Sequence, residues 1–172
     1  MPVEVRLEEV FVSENELPDV DYRWDADTDI LSAVIRSQAV GEGLTGSVDI
    51  EGSDGSWLMF EVMAGRLASI EVAVWPDVQK VAALSIPVPA GFARIKVPSR
   101  AAHIGEDVLE VDTPIRAVAD EAERTIHFRI GVQRPSRALQ VAKDLLVEVD
   151  AQANLAGFWL LNVPPFPQSL AQ

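Results

Sequence analysis

The stretch WDADTDIL, residues Trp24 to Leu31, carries three aspartates at alternate positions and could in principle bind a metal ion. They are Asp25, Asp27 and Asp29. A calcium loop of the EF-hand type has ligands at positions 1, 3 and 5, a glycine at position 6 and a glutamate at position 12. Here Ile30 and Arg36 occupy the last two positions. The spacing therefore favours a strand-to-strand turn, in which Asp25 bonds its own backbone, over a metal site, and Asp120 is predicted to play the same part in the second half of the chain. We predict no bound metal and no other cofactor, with the three aspartates as weak metal candidates.

Two further patterns contain residues that occur in known binding sites, but they lack the other features that such sites need. GEGLTG, residues 41–46, has the glycines of a dinucleotide loop, but strand-like sequence follows it instead of the helix that such a site needs. A hairpin loop is the favoured interpretation. The two histidines, His103 and His127, fall short of the three or four ligands of a zinc site, because the chain has no cysteine. His127 is predicted to be a surface or half-buried strand residue. No placed serine nucleophile supports a catalytic triad, so we assign no catalytic residue.

The remaining polar cluster is basic and lies in the second half of the chain. It consists of Arg129, Arg134, Arg137 and Lys143. An anion-binding patch and a solvated loop both fit this composition, and the solvated loop is favoured. The four tryptophans are predicted to be core or interface anchors, and the proline-broken tail, residues 162–172, to lie extended against the body or a partner.

The elements that position these residues are predicted to be mostly strands. Residues 3–7 alternate apolar and charged side chains, which is typical of a half-buried strand. Residues 57–62 and 67–74 flank a turn at 63–66 and predict a hairpin, and residues 81–87 and 92–98 predict another. Residues 76–84 are the best helix candidate, with Pro76 in the first turn. The fold class is therefore mainly β, with at most one or two short helices.

The chain also resembles itself. WDADTDILSAVI (24–35) aligns with ADEAERTIHFRI (119–130), and EVMAGRLASIEVAVWP (61–76) aligns with EVDAQANLAGFWLLNVPP (148–165). Two matching blocks in the same order predict an internal duplication. We expect a first β repeat with an N-terminal strand in residues 1–86 and a second with a C-terminal tail in residues 87–172. Because each unit is small for a core of its own, the repeats should pack about a pseudo-twofold axis as one sandwich- or barrel-like body.

The repeated blocks resemble a known family. DADTDIL (25–31) and GRLASIEV (65–72) are similar to the start and the end of the bacterial family called domain of unknown function 2283, or YuzE-like. Residues 120–130 and 154–158 resemble the same start and end a second time. The family's proline is missing from both copies, and Ser32 and His127 stand where a tyrosine is usual. The resemblance implies a bacterial protein, with no catalytic residues and no established activity. Some members look like partners of small toxins.

Charge and hydropathy restrict the possible partners. The net charge is −13, and residues 1–86 hold 17 acidic and 5 basic residues against 10 and 9 in residues 87–172. An acidic first half repels phosphate backbones and anionic lipids, so neither nucleic acid nor a membrane is an expected partner. The start, MPVEVRLEEV, lacks the apolar region of a signal peptide. The expected location is the cytoplasm.

Two functional hypotheses follow from these observations. The first is a non-enzymatic protein-interaction module whose acidic first half faces a basic protein partner. The alternative is a small-ligand-binding protein or hydrolase with its site in the cleft between the repeats. That site would use acids such as Asp27, Asp29 or Glu71.

Overall fold

The computed structural model describes residues 5–36, 45–97 and 108–167, and the regular secondary structure of this part of the chain is almost wholly strand. The strands are β1 (Glu8–Phe11), β2 (Val20–Asp25), β3 (Ile30–Ile35), β4 (Gly46–Gly52), β5 (Trp57–Met63), β6 (Arg66–Val74), β7 (Val78–Val81), β8 (Gly91–Lys96), β9 (Val108–Thr113), β10 (Ile115–Asp120), β11 (Ile126–Ile130), β12 (Ser136–Ala142), β13 (Leu145–Asp150) and β14 (Leu155–Leu160). The described helical structure is a single 3-10 turn at Glu14–Glu16. The mainly β class is therefore confirmed. Within these residues no helix has the length and apolar character that crossing a membrane requires.

Alternating side chains explain most of these strands. In β3, Leu31, Ala33 and Ile35 are buried while the residues between them are partly exposed. This is the period-2 pattern of a strand with one face on the core. The predicted hairpin of β5 and β6 is confirmed. Its turn residues Ala64 and Gly65 have φ of 51° and 76°, as a two-residue type I′ connection requires.

The two halves share one strand order. In the first half the hydrogen-bonded order is β2-β3-β6-β5-β4, and in the second it is β10-β11-β14-β13-β12, with every pair antiparallel. The strands of the two aligned sequence blocks thus take matching places in the two orders. This shared order is what a duplication would produce, and the duplication itself stays a prediction.

Strands exchanged between the halves join them into one curled sheet with the shape of a half-barrel. β7 pairs in parallel with β10, and β9 pairs in parallel with β4. β8 pairs in parallel with β12 and touches β6 through one residue pair. The inner faces share a core, in which Phe60 of β5 meets Phe158 of β14 edge to face at 5.6 Å. At roughly 25 cal/mol for each Å² of apolar area removed from water, this shared burial is the main stabilising contribution.

Two element predictions are wrong. The expected helix at residues 76–84 contains β7 instead, because pairing with β10 satisfies the backbone that a short helix would leave half-bonded. The expected hairpin over residues 81–98 does not form. Residues 83–89 lack regular structure, and β8 pairs with β1 and β12 rather than folding back on its predecessor. Of the predicted N-terminal strand, Val5 and Leu7 are buried and Arg6 is exposed, but the regular ladder begins at Glu8.

Tryptophans and the tail fasten the two halves together. Trp24 stacks on Trp75 with ring centroids 5.7 Å apart, and Phe166 of the tail packs edge-on against Trp24 at 5.1 Å. The Trp24 Nε1 donates to the Pro164 carbonyl at 2.8 Å. Among the described tail residues, Val163 is fully buried. The tail up to residue 167 therefore lies against the body, as the sequence predicts.

Candidate ligand site

A cavity of about 230 Å³ opens where β8 diverges from β6. The two strands share only the pair Arg66↔Lys96, and β8 then crosses to β12 at Gly91↔Leu139. The gap between them is not filled by a strand, so it forms a pocket bounded by both halves. Residues from 1–86 and from 87–172 thus line the same cavity.

The floor of this cavity is apolar and rigid. It is formed by Ile35, Leu67, Ala93, Ile95 and Val141, all of which are buried. These side chains come from β3, β6, β8 and β12, so backbone ladders on several sides fix their positions. A preformed apolar concavity with a few polar groups is the usual form of a small-molecule site.

The rim of the cavity carries three arginines, Arg36, Arg66 and Arg94. Arg36 follows β3, and the β3–β6 register places the end of β3 beside the start of β6, where Arg66 lies. The Arg36 Nε donates to the Asp21 carboxylate at 2.5 Å. Arg66 and Arg94 are half-buried and have no ion-pair partner among the described residues. Two guanidiniums are therefore available to a ligand.

One carboxylate, that of Glu16, also lines the rim, but it is engaged in hydrogen bonds with Ser13. Glu16 accepts from the Ser13 hydroxyl at 2.6 Å and from the Ser13 amide at 3.1 Å. The Ser13 hydrogen bonds, with a smaller contribution from the charge of Arg94, hold the pKa of Glu16 below its usual value. Glu16 is therefore ionised at neutral pH and engaged with Ser13, while the cavity keeps an excess of positive charge.

The aspartates singled out by the sequence form a turn, away from the cavity. The Asp25 carboxylate accepts from the amide of Asp27 at 3.0 Å, and the Asp25 carbonyl accepts from the amide of Asp29 at 2.8 Å. Asp120 does the same in the second half, accepting from the amides of Arg124 and Thr125 at 2.8 and 3.2 Å. The predicted backbone-bonding role of both leading aspartates is confirmed. Within the described residues, no group of three or more His, Cys, Asp or Glu side chains could hold a metal ion.

Substitution of Asp25 should therefore matter more than substitution of Asp27. Asp25→Ala should lower the free energy of unfolding by about 1 kcal/mol, because it removes a turn hydrogen bond. Asp27→Ala is the matched control and should change it by less than about 0.5 kcal/mol, because Asp27 contributes only its amide. Urea denaturation measures both. A rise in melting temperature with millimolar Ca²⁺ that Asp27→Ala abolishes would contradict the structural interpretation of this turn.

The remaining sequence candidates are dispersed. Glu71 accepts from Ser32 at 3.1 Å on β6, and neither it nor Asp27 nor Asp29 lines the cavity. His127 is a half-buried strand residue, as predicted, with its Nε2 2.5 Å from Glu148. His103 and residues 41–44 of the glycine-rich loop lie outside the described residues.

The basic cluster is not a continuous patch. Arg134 is bound to Asp150, Arg137 to Glu9, and Lys143 to Asp19. Arg129 alone among the four has no carboxylate within ion-pair distance in the described part of the chain. Arg137 and Lys143 are exposed, whereas Arg129 and Arg134 are half-buried, so the choice between a patch and a solvated loop stays a prediction.

Sequence reasoning missed the three cavity arginines. They lie 28 to 58 residues apart along the chain, at positions 36, 66 and 94, and no spacing rule connects them. A weak signal existed, since each interrupts or borders a strand-like apolar run. Only the pairing of β3 with β6, and of β6 with β8, brings them together.

Comparison with known proteins adds no relative to this description. No family model matches the chain, and no curated protein matches it significantly. The resemblance of the aspartate-led blocks to the YuzE-like family therefore stays a prediction.

Proposed function

We propose that this protein binds a small organic anion in the cavity between its two halves. The observation that carries the proposal is that Arg66 and Arg94, which have no ion-pair partner in the described part of the chain, border a buried apolar floor. Guanidinium groups hold carboxylate and phosphate oxygens through paired hydrogen bonds, and an apolar floor receives the rest of the molecule. The ligand should therefore have a charged head and a short apolar body.

The size of the cavity limits the ligand. Its volume of about 230 Å³ is below the range of roughly 300–1,000 Å³ for drug-sized ligands. It corresponds to about eight water molecules at their share of liquid volume, roughly 30 Å³ each. A medium-chain carboxylate such as hexanoate is of this size. The proposal is a binding function, and it assigns no nucleophile and no general base.

Titration calorimetry tests the proposal with three ligands that have a similar six-carbon chain and differ in the charge of the head group. Hexanoate should bind, while hexylamine and hexanol should not, because the rim attracts a negative head. Arg66→Gln and Arg94→Gln should each weaken hexanoate binding about tenfold, the loss of roughly 1.4 kcal/mol that one charge-assisted hydrogen bond provides. Arg23→Gln, at an exposed arginine of β2, removes the same charge and should leave binding unchanged. Equal binding of hexanol and hexanoate would overturn the proposed role of the arginines.

A second candidate function is the protein-interaction module, in which the acidic first half faces a basic partner. The observation that favours it is the outer face of β5 and β6, where Glu61 and Glu71 each accept a hydrogen bond from a serine hydroxyl. Neither carboxylate has a cationic partner among the described residues. A lysine-rich peptide should bind this face, and binding should weaken with salt.

Glu61→Gln with Glu71→Gln should reduce peptide binding more than Asp27→Asn with Asp29→Asn, which removes the same charge elsewhere. Fluorescence anisotropy of a labelled peptide measures the difference. Equal losses in the two double variants would show attraction by net charge alone and would count against a specific face.

A further inference from the structure

A second group of functional side chains lies on the outer face of the second-half sheet. In the pairing of β10 with β11, Arg116 is directly opposite Arg129. Like charges in that position repel each other, so the pairing is unfavourable unless an anion lies between them. Neither arginine has a carboxylate within ion-pair distance in the described part of the chain. The pair is therefore open to an anionic ligand.

The Arg129 side chain itself supports the same interpretation. Its Nε is shielded from solvent and has no hydrogen-bond acceptor among the described residues. Its Nη1 reaches Gln133 Oε1 only at 3.4 Å, which is a weak contact. A shielded donor on a charged group strongly favours an acceptor, and an anion supplies one.

Beside the two arginines, a histidine is held in a fixed position. The His127 ring stacks on Trp159 with centroids 4.3 Å apart, and its Nε2 lies 2.5 Å from Glu148 Oε1. Glu148 of β13 reaches across β14 at Gly157, where a side chain would come within 2.9 Å of that same carboxylate oxygen. Because a carboxylate only accepts, Nε2 donates to Glu148, and the Nδ1 of the singly protonated ring can accept a hydrogen bond from a ligand hydroxyl.

These groups border two adjoining depressions of about 450 and about 160 Å³, and His127 and Arg129 line both. The larger depression is also lined by Arg116, Asp54 and Asp77. Two opposed guanidinium groups suit an anion with three terminal oxygens, whereas a carboxylate has only two. The two aspartates can accept hydrogen bonds from hydroxyl groups on the body of the same ligand.

We propose that this groove binds the phosphate group of a small hydroxylated phosphate monoester, of the polyol phosphate class. Arg116 and Arg129 hold the phosphate oxygens, and the His127 Nδ1 accepts a hydrogen bond from a hydroxyl of the ligand. Asp54 and Asp77 receive hydroxyls. This site is separate from the cavity between the halves and does not depend on the function proposed for that cavity.

Titration calorimetry with glycerol phosphate, inorganic phosphate and glycerol tests the proposal. Glycerol phosphate should bind more tightly than inorganic phosphate, and glycerol should not bind. Arg129→Gln should weaken binding at least tenfold and Arg116→Gln several-fold. Arg124→Gln, an exposed arginine that does not line the groove, should have no effect. Should Arg129→Gln fail to fold, the exposed Arg116 decides the question alone.

The two proposed sites also serve as controls for each other. Arg66→Gln should leave glycerol phosphate binding unchanged, and Arg129→Gln should leave hexanoate binding unchanged. Absence of glycerol phosphate binding, or equal losses in Arg116→Gln and Arg124→Gln, would overturn the phosphate groove whatever happens at the other cavity.

Discussion

Replacing Arg134 by alanine should lower the free energy of unfolding by about 3–5 kcal/mol, the cost of leaving a buried charge without its partner. The Arg134 Nε donates to Asp150 at 2.8 Å. Its other nitrogens donate to the carbonyls of Ile130, Val132 and Leu155 at 2.9, 2.9 and 3.0 Å. One side chain thus joins the end of β11, the end of β13 and the start of β14. Alanine would remove all four hydrogen bonds at once.

Thermal denaturation measures this loss, at roughly 2–4 °C for each kcal/mol in a chain of this size. Arg124→Ala is the matched control, because that side chain is exposed and makes no hydrogen bond in the described part of the chain. It should melt within about 1 °C of the unmodified protein, since surface changes of this kind stay within roughly 0.5 kcal/mol. Equal melting temperatures for the two variants would show that the Arg134 network is not stabilising.

The Asp150 carboxylate should make this stability depend on pH. Burial acts to raise its pKa, but the hydrogen bond from Arg134 and those from the amides of Asn154 and Gln152 outweigh burial and lower it. The pKa in the folded state is therefore below the unfolded value of about 3.9. The stabilisation is fully present above the unfolded pKa and is lost as pH falls through the folded pKa.

Asp150→Asn provides the comparison for this pH dependence. Above about pH 5 the variant should be less stable than the unmodified protein by about 3 kcal/mol, because Arg134 loses its carboxylate. The difference should shrink as pH falls below about 4, because the carboxyl of the unfolded chain takes up a proton there before that of the folded chain does. Urea denaturation at several pH values measures it. A difference that is constant from pH 3 to pH 7 would contradict the lowered pKa.

Gly157→Ala should also lower the free energy of unfolding strongly, by about 2–3 kcal/mol. The added methyl group would overpack a position between two paired strands. A Cβ at this position would lie 2.3 Å from the Phe128 carbonyl oxygen and 2.9 Å from Glu148 Oε1. The carbonyl is backbone in a paired strand, so β14 itself would have to shift. The same shift would separate Glu148 from His127.

Gly91→Ala is the control for this substitution, because its Cβ would meet only the ring of Phe11, at 3.1 Å. That ring is 62% exposed and can move aside. The control should therefore cost less than about 0.5 kcal/mol. A Gly157→Ala protein as stable as Gly91→Ala would mean that β14 tolerates a side chain there, and the position of Glu148 would need another cause.

The local sequence pattern was sufficient to predict the strands that pair with the next strand along the chain. The β5–β6 hairpin could be predicted because alternation and an Ala-Gly turn act within 18 residues, from Trp57 to Val74. The leading aspartates Asp25 and Asp120 could be assigned to turns for the same reason. Each bonds amides within five residues of itself.

Long-range strand pairing explains the predictions that were wrong or missing. β7 consists of Val-Gln-Lys-Val, which carries no strong strand pattern, and it becomes a strand only because β10 supplies a parallel edge whose paired residues lie 39 positions further along the chain. The cavity depends on the same kind of contact. It exists because β8 leaves β6 after one pair and joins β12, and no local sequence feature specifies that crossing.

The most direct test of the central claim, that the cavity between the halves binds an organic anion, is nuclear magnetic resonance of the arginine side chains. In a hexanoate titration of the ¹⁵N-labelled protein, the Nε–H signals of Arg66 and Arg94 should shift and saturate together. The signal of exposed Arg23 should stay in place. No saturable shift at Arg66 and Arg94, or the same shift at Arg23, would contradict the claim.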